Sequence, residues 1–165
     1  MIFGGLIGAL MVLRGESPFW PPPGMPKLPI AVTWINTVVL MASAVTMYRS
    51  VRAARENRAR ILGRLLLITG ALGITFLAAQ GTEWVRLIAQ GLRISTGSYG
   101  AMFYTLIGFH AAHVLAAVIW LGVVVVGANR NLYTTGNVRG VELCAMYWYF
   151  VCAIWPVLFV LVYLV

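Results

Sequence analysis

Long runs of apolar residues alternate with short polar segments along most of this chain. A helix rises about 1.5 Å per residue, so about 20 apolar residues are needed to cross the roughly 30 Å hydrocarbon layer of a bilayer. The pattern therefore predicts an all-α fold, a polytopic membrane helix bundle with about five transmembrane helices. The predicted spans are roughly residues 1–14, 28–49, 60–90, 98–128 and 140–165.

The first of these spans is short for a membrane crossing. We interpret it as the end of a membrane helix whose beginning is missing or partly exposed. Six of the seven prolines follow it within residues 17–29. Because proline cannot continue a helix, this segment is predicted to be a stiff loop at the membrane surface. Trp20 in the same segment is predicted to be interfacial, since indole rings are enriched at the headgroup level.

The composition excludes a soluble domain. Hydrophobic residues make up 61% of the 165 residues and charged residues only 10%, which is more apolar surface than a soluble domain of this size could bury. A formal net charge of +8 would suit nucleic acid in a soluble protein. Here the basic residues fall in loops, where they report membrane orientation. Binding of nucleic acid is therefore not expected.

Arginines concentrate between the second and third predicted spans. Residues 49–64 hold six arginines and one glutamate. Loops rich in Lys and Arg stay on the cytoplasmic side of a membrane. The loop 49–64 is thus predicted to be cytoplasmic and the C-terminus to lie outside, in a bacterial-type inner or plasma membrane.

The fourth span contains the only two histidines, His110 and His113, and no Lys, Arg, Asp or Glu lies between Arg93 and Arg130. Residues three apart share a helix face. Imidazole is a common haem and metal ligand, so a haem-ligating membrane cytochrome is one hypothesis. Two histidines on adjacent turns of one helix, however, cannot both be axial ligands of one haem. The favoured interpretation is a buried polar anchor that hydrogen-bonds a neighbouring helix.

A second pair of polar residues, Gln80 and Glu83, lies near the end of the third span. Spans three and four are joined by a short loop, and at about 1.5 Å per residue Gln80 and His110 lie at matching depths. The sequence predicts a Gln80–Glu83–His110–His113 cluster whose main role is to hold two helices together. Two alternatives stay open for Glu83. It carries protons, as intramembrane carboxylates often do, or it pairs with Arg86 one turn along.

Several other residues are predicted to anchor or pack the helices. In the second span, a narrow stripe at helical spacing should face a neighbouring helix: Thr33, Asn36, Leu40 and Ser43. Gly108 and Ala112 form a ridge of small residues that permits close approach by another helix. Glu142 begins the fifth span, where a carboxylate favours the positive helix end and can meet Arg139. Trp148 belongs to an aromatic cluster that is predicted to pack helices.

These landmarks, taken in order, resemble subunit III of the haem–copper terminal oxidases, the cytochrome c oxidase subunit III family. Each motif is weak alone, but the ordered set covers almost the whole chain. The motifs that carry the resemblance are, in order, Trp20-Pro21-Pro22-Pro23-Gly24, Asn36-Thr37, Glu83, Tyr99-Gly100, Gly108-Phe109-His110, His113-Val114, Glu142, Tyr147-Trp148 and Trp155.

The resemblance implies a single subunit-III-like domain over residues 1–165, an accessory subunit with no catalytic residues of its own. It would dock against oxidase subunit I, in a hetero-oligomer that couples oxygen reduction to proton pumping. Neither haem nor copper is expected in this chain, since the family keeps its redox centres in partner subunits, whereas bound phospholipid is expected. The residues that match the family's polar and aromatic positions are Trp20, Glu83, His110, His113, Glu142 and Trp148.

The chain also departs from the family pattern. Family members usually have seven helices, whereas five are predicted here, as if the first two were absent. Tyr149 and Cys152 stand where the family usually has His and Asp. The equivalent subunit of a quinol oxidase, or a homologue associated with nitric oxide reductase, is an alternative, because nothing in the chain touches the electron donor. A small channel or transporter is a further class, with Glu83 and the histidines as its sole candidate path.

Overall fold

The structure, a computed structural model, describes residues 2–16, 28, 30–95, 97–130, 132–133 and 137–164. Within these residues the chain is almost entirely helical. The helices are α1 (Ile2–Glu16), α2 (Ile30–Arg55), α3 (Ala59–Ala89), α4 (Ser98–Asn129) and α5 (Arg139–Phe159), and a π-helix (Val160–Leu164) continues α5. The predicted all-α fold is confirmed.

Four helices are long and apolar enough to cross a membrane, namely α2, α3, α4 and α5 with its π-helical end. α1 has 15 residues and reaches only about 22 Å, in agreement with the short first span predicted from the sequence. Helices suit the bilayer because they satisfy their own backbone N–H and C=O groups. The chain is a multi-pass membrane protein.

The second helix is longer than predicted. α2 ends at Arg55 instead of near residue 49. Arginine is a good helix former, so a helix can continue into water after its apolar run has ended. Asn57 then adopts a φ of 56°, a left-handed conformation that asparagine tolerates, and α3 begins at Ala59. The arginine-rich segment is therefore a tight helical hairpin, not an open loop.

The helices α2, α3, α4 and α5 pack in a ring in which each contacts the next and α5 returns to α2. α1 packs chiefly against α4. Large aromatic side chains fill the interior and are almost fully buried: Phe76, Phe103, Trp148 and Trp155. The outer faces are apolar as well, with exposed side chains such as Ile35, Val85, Ile119 and Val123, as expected for a surface in contact with lipid.

A close approach between α3 and α5 depends on Gly73. A Cβ atom at this position would lie 2.7 Å from Cη2 of Trp148 and 3.1 Å from Cγ2 of Val118 on α4. Trp148 is 1% exposed, so its ring has little free space to move into. Gly73 therefore lets the indole ring sit directly against the backbone of α3.

Candidate functional site

His110 lies inside the helix bundle and is 1% exposed. Its ring stacks on Trp155, with ring centroids 4.9 Å apart and 29° between the planes. Phe76 meets the imidazole edge-on at 5.9 Å, and Phe3 does so at 6.4 Å. Because these three rings come from α5, α3 and α1, one side chain of α4 contacts three other helices.

Aromatic contacts hold the His110 ring. Neither Nδ1 nor Nε2 has a hydrogen-bond partner among the described residues, so the predicted bond to a neighbouring helix is absent there. A buried polar group without a partner costs about 1–3 kcal/mol. Each well-oriented aromatic pair contributes about 0.5–1.5 kcal/mol, so the three ring contacts can offset that cost. The surroundings of His110 are those of a packing position.

His113 shares a helix face with His110 but has different surroundings. It is half-buried, and its Nδ1 lies 2.7 Å from the carbonyl oxygen of Phe109 on its own helix. Its ring centroid is 5.1 Å from that of Phe3. His113 therefore contacts α1, whereas His110 reaches inward to α3 and α5 as well.

Gln80 and Glu83 are both buried, and each hydrogen-bonds a residue other than the histidines. Gln80 Nε2 donates a hydrogen bond to the hydroxyl of Tyr163 at 3.3 Å, which ties α3 to the π-helix at the end of α5. Arg86 Nη1 donates to Glu83 Oε1 at 2.8 Å, as one interpretation of the sequence expected. The side chain of Glu83 is 8% exposed and that of Arg86 67%, so the pair reaches the surface through the guanidinium group.

In the described part of the chain, the four residues of the predicted cluster are not hydrogen-bonded to one another. Gln80, Glu83 and His113 bond to other partners. The ring of His110 contacts that of Phe76, which precedes Gln80 by one turn of α3. The contacts between α3 and α4 agree with the equal depths of Gln80 and His110, since a Cβ atom at Gly73 would meet Val118 and one at Gly108 would meet Trp84.

Two tryptophans fasten α5 to the polar stripe of α2. Trp148 Nε1 donates a hydrogen bond to Ser43 Oγ at 3.0 Å, and Trp155 Nε1 donates to Thr37 Oγ1 at 2.9 Å. Interhelical hydrogen bonds of this kind contribute about 0.6–2 kcal/mol each in a membrane. The contact agrees with the packing role predicted for Trp148.

The stripe itself faces inward, as its spacing predicted, and its four residues are buried: Thr33, Asn36, Leu40 and Ser43. Asn36 Nδ2 donates to the backbone carbonyl of Phe76 at 3.2 Å, which links α2 to α3. Nearly three turns farther along α2, the hydroxyls of Thr46 and Thr69 lie 2.7 Å apart across the same pair of helices. α2 thus forms polar contacts with both of its neighbours in the ring.

Glu142 joins the end of α2 to the start of α5. Its Oε1 lies 2.8 Å from Nη2 of Arg55, so the partner is Arg55 and not Arg139 as predicted. Arg55 and Glu142 are 87 positions apart in the sequence, so local residue spacing could not predict their contact. The side chain of Arg55 is 65% exposed and that of Glu142 33%. Such an exposed ion pair contributes at most about 1 kcal/mol to stability.

The ridge of Gly108 and Ala112 lies at the surface of the chain. Ala112 is exposed, and a Cβ atom at Gly108 would lie 3.6 Å from Cη2 of Trp84. A shallow groove of about 290 Å³ runs over the ridge and is lined by Tyr104, Thr105, Gly108, Phe109 and Ala112. Within the described part of the chain, the neighbouring helix α3 reaches Gly108 through the indole ring of Trp84, and Ala112 keeps an exposed surface.

Trp20 lies outside the described residues, so its interfacial position stays a prediction. Three residues that shape the interior were not among the predicted site residues: Phe76, Trp155 and Tyr163. A signal for Trp155 exists, since it follows Trp148 at a seven-residue spacing and so lies on the same helix face. Phe76 and Tyr163 carry no local signal, because their partners lie far away in the sequence.

The cysteines and other potential metal ligands are dispersed. In the described residues, no three His, Cys, Asp or Glu side chains lie close enough together to hold a metal ion. Cys144 and Cys152 are free and buried. Cys152 Sγ lies 3.9 Å from Ser43 Oγ and donates to the carbonyl of Leu40 at 3.7 Å, so it adds to the contact between α2 and α5.

The fold and its interior define a class, the multi-pass helical membrane proteins whose buried polar groups connect helices. Residues 9–165 match the protein family Cytochrome c oxidase subunit III, and this chain belongs to that family. Membership implies that the chain is part of an oxidase complex of the respiratory chain. The resemblance read from the ordered motifs is confirmed.

Three relatives illustrate how far the similarity extends. Cytochrome c oxidase subunit 3 of Synechocystis sp. is 36% identical over 164 residues, which cover 99% of this chain and 69% of the relative. The subunit 3 of Thermostichus vulcanus is 34% identical, with 99% of this chain and 80% of the relative covered. The probable subunit 3 of Nocardia farcinica is 34% identical, with 100% and 81% covered. The similarity thus runs along nearly the whole chain.

Proposed function

We propose that this chain is a non-catalytic accessory subunit that docks against catalytic subunit I of a respiratory haem–copper oxidase and stabilises it. Reduction of oxygen, coupled to proton pumping, takes place in the partner subunits, which hold the haem and copper. Membership of the family over residues 9–165 carries the place in the complex, and the non-catalytic role is supported by the environment of His110, whose ring is enclosed by aromatic rings from α1, α3 and α5. A side chain used in this way maintains the shape of the bundle.

The other buried polar groups support the same role. The indole N–H groups of Trp148 and Trp155 bond to α2, and Gln80 bonds to Tyr163 at the end of α5. Each contact fixes one helix against another, so the bundle presents a preformed outer surface. A preformed surface binds a partner at low cost in conformational entropy, which suits a subunit that stabilises its neighbour.

The arginine-rich hairpin is proposed to face the cytoplasm. Its six arginines outnumber its one glutamate, and such a bias favours the cytoplasmic side. α3 then runs outward, α4 returns, and α5 runs outward, so the C-terminus lies outside. The pair of Arg55 and Glu142 lies on the cytoplasmic side in this orientation.

Two further components of the complex are proposed, one from the names of the relatives and one from the chemistry of the surface. Cytochrome c is the proposed electron donor, since the relatives are named cytochrome c oxidase subunit 3. Phospholipid is the proposed small ligand of this chain. The outer faces are apolar and suit acyl chains, and basic residues near the helix ends suit headgroups.

The proposal is tested by mild solubilisation of membranes that contain the tagged chain, with mass spectrometry of the proteins that copurify. We expect a haem- and copper-bearing oxidase subunit I in stoichiometric amount. Recovery of the chain in a stable, functioning assembly with no oxidase core would contradict the proposal. So would iron or copper bound stoichiometrically to the isolated chain.

Replacement of His110 separates a packing role from ligation or proton transfer. His110→Phe keeps a ring against Phe3, Phe76 and Trp155 and removes two buried nitrogens that have no described partner. We expect this variant to assemble with subunit I at least as well as the wild type. His110→Ala leaves a cavity and should lower the free energy of unfolding by about 2 kcal/mol. Yield of the complex and SDS titration of the purified chain measure the two effects.

His113→Ala is the matched control for this series. His113 is half-buried and bonds within its own helix, so its loss should cost less than the loss of His110. Haem content per subunit I should stay at the wild-type level in all three variants. A drop in haem content or turnover in His110→Phe, at normal yield of the complex, would indicate that the imidazole nitrogens have a chemical role.

A further inference from the structure

The arginine-rich hairpin holds a surface cavity of about 360 Å³, lined chiefly by Arg49, Arg52, Glu56, Arg58, Ile61 and Leu65. Three guanidinium groups and one carboxylate form its polar end. Its apolar end is formed by two side chains of α3, the helix that continues into the membrane. The cavity therefore joins a cationic rim to a hydrocarbon-like wall at the end of two spans.

The cations of this cavity outnumber the one acid that lines it. Oε1 of Glu56 lies 2.9 Å from Nε of Arg52, and its Oε2 lies 3.2 Å from Nε of Arg58. The hydrogen bond from Arg52 holds the pKa of Glu56 below its ordinary value, with help from the charge of Arg58, so the carboxylate is ionised at neutral pH. Arg49 has no ion pair among the described residues. The cavity thus keeps positive charge and free N–H donors.

An exposed apolar surface continues from the cavity along both helices. On α3, Ile61 and Ile68 are exposed, and Leu65 lies between them on the same side, over about 10 Å of helix axis. On α2, Val45 is exposed one turn before Arg49. A stripe of this kind beside a cationic rim has the dimensions and polarity of a lipid-binding groove.

We propose that this cavity binds an anionic phospholipid. Arg49, Arg52 and Arg58 hold its phosphate, and an acyl chain lies along Ile61 and Ile68. The site rests on the lipid binding included in the proposed function, and it specifies the place and the lipid class. The planar guanidinium fork binds phosphate in a bidentate manner, and exposed ion pairs such as those of Glu56 are weak enough to yield to it.

Charge selects the class of lipid. A zwitterionic headgroup carries its own ammonium group, which would meet the three guanidinium groups of the rim and be repelled. An anionic headgroup has no such group. An acidic segment of a partner protein would satisfy the arginines but would leave the apolar stripe beside them without an occupant, so the lipid fits both halves of the cavity.

The test uses the whole chain in the assembly with which it copurifies. The assembly is reconstituted in vesicles of phosphatidylcholine with or without phosphatidylglycerol and extracted again, and retained lipid is measured by mass spectrometry. Arg49→Gln/Arg52→Gln should bind phosphatidylglycerol about 25-fold more weakly, at about fivefold for each arginine beside an anionic headgroup. Arg60→Gln/Arg64→Gln removes the same charge from the same hairpin, outside the cavity lining. This control should stay within about threefold of the wild type, because charges at a distance are screened.

A gain-of-binding variant guards against misfolding as an explanation. Glu56→Gln removes the competing carboxylate and releases Arg52 and Arg58 from their ion pairs. We expect it to bind phosphatidylglycerol about fivefold more tightly than the wild type. Weaker or unchanged binding would overturn the assignment of the phosphate to these arginines.

Other outcomes separate failure of the site from failure of lipid binding in general. Equal retention of phosphatidylglycerol by both double variants would overturn the site and leave the lipid binding of the proposed function intact. A wild-type assembly that retains no phospholipid would overturn both. Binding of inorganic phosphate without preference for phosphatidylglycerol would assign the cavity to a free anion. Loss of a partner subunit from Arg49→Gln/Arg52→Gln, with unchanged lipid, would assign it to a protein.

Discussion

Trp155→Ala is expected to lower the free energy of unfolding by about 3 kcal/mol, near the lower end of the range for a buried tryptophan. The side chain is fully buried, stacks on His110, meets Phe76 at 4.8 Å and bonds to Thr37. Lipid is as apolar as the protein interior, so the loss comes from packing contacts, the cavity and the hydrogen bond, and not from transfer to water. Titration of the detergent-solubilised chain with SDS, followed by circular dichroism, measures the change.

Two variants divide that loss into its parts. Trp155→Phe removes the hydrogen bond to Thr37 but keeps a ring against His110, and should cost only about 1 kcal/mol. Trp120→Ala removes an indole that is 39% exposed and should have a small effect on the isolated chain. If Trp155→Ala were no more harmful than Trp120→Ala, the ring contacts of the interior would not be what holds the helices together.

Gly73→Val is expected to disrupt the packing of α3 against α5 and to cost about 3 kcal/mol, the upper end of the usual range for overpacking. Its Cβ atom would lie 2.7 Å from Trp148 before the two methyl groups are considered. The indole cannot retreat without breaking its bond to Ser43. We expect a lower SDS midpoint for the chain and a lower yield of the assembled complex.

Gly81→Val is the matched control on the same helix. Nothing lies within 4 Å of a Cβ atom at Gly81, so the isolated chain has room for the larger side chain. Its SDS midpoint should stay close to that of the wild type. A midpoint as low as that of Gly73→Val would attribute the effect to the β-branched residue in α3, and not to contact with Trp148.

Much of the architecture could be predicted because the hydrocarbon layer of a membrane permits few backbone conformations, chiefly the α-helix. Apolar runs of sufficient length predicted the helices, and the stripe of Asn36 and its neighbours predicted the inward face of α2. Both signals are local, since length and period are properties of one segment. The ends of helices do not follow from hydropathy alone: α2 continues to Arg55 because arginine favours a helix although it is not apolar.

The partners of the polar side chains could not be predicted in the same way. Glu142 pairs with Arg55, which lies 87 positions away in the sequence. Gln80 bonds to Tyr163, which lies in a π-helix that no residue pattern predicts. Both contacts depend on the angular and axial placement of packed helices. His110 was recognised as a buried residue, but its aromatic neighbours come from three other helices. Such an environment exists only after the bundle has assembled.

The outer face of each helix is apolar, with side chains such as Ile35, Ile119 and Val123. The outer and inner faces therefore differ in which substitutions they tolerate. An outward position that faces lipid requires only an apolar side chain, so Ile, Leu, Val and Phe are nearly interchangeable there. At an inward position such as Gly73 or Trp155, the neighbouring side chains restrict the size and shape of the side chain that fits. Over time the exterior can drift to suit whichever neighbour lies beside it, while the ring of helices inside keeps its form.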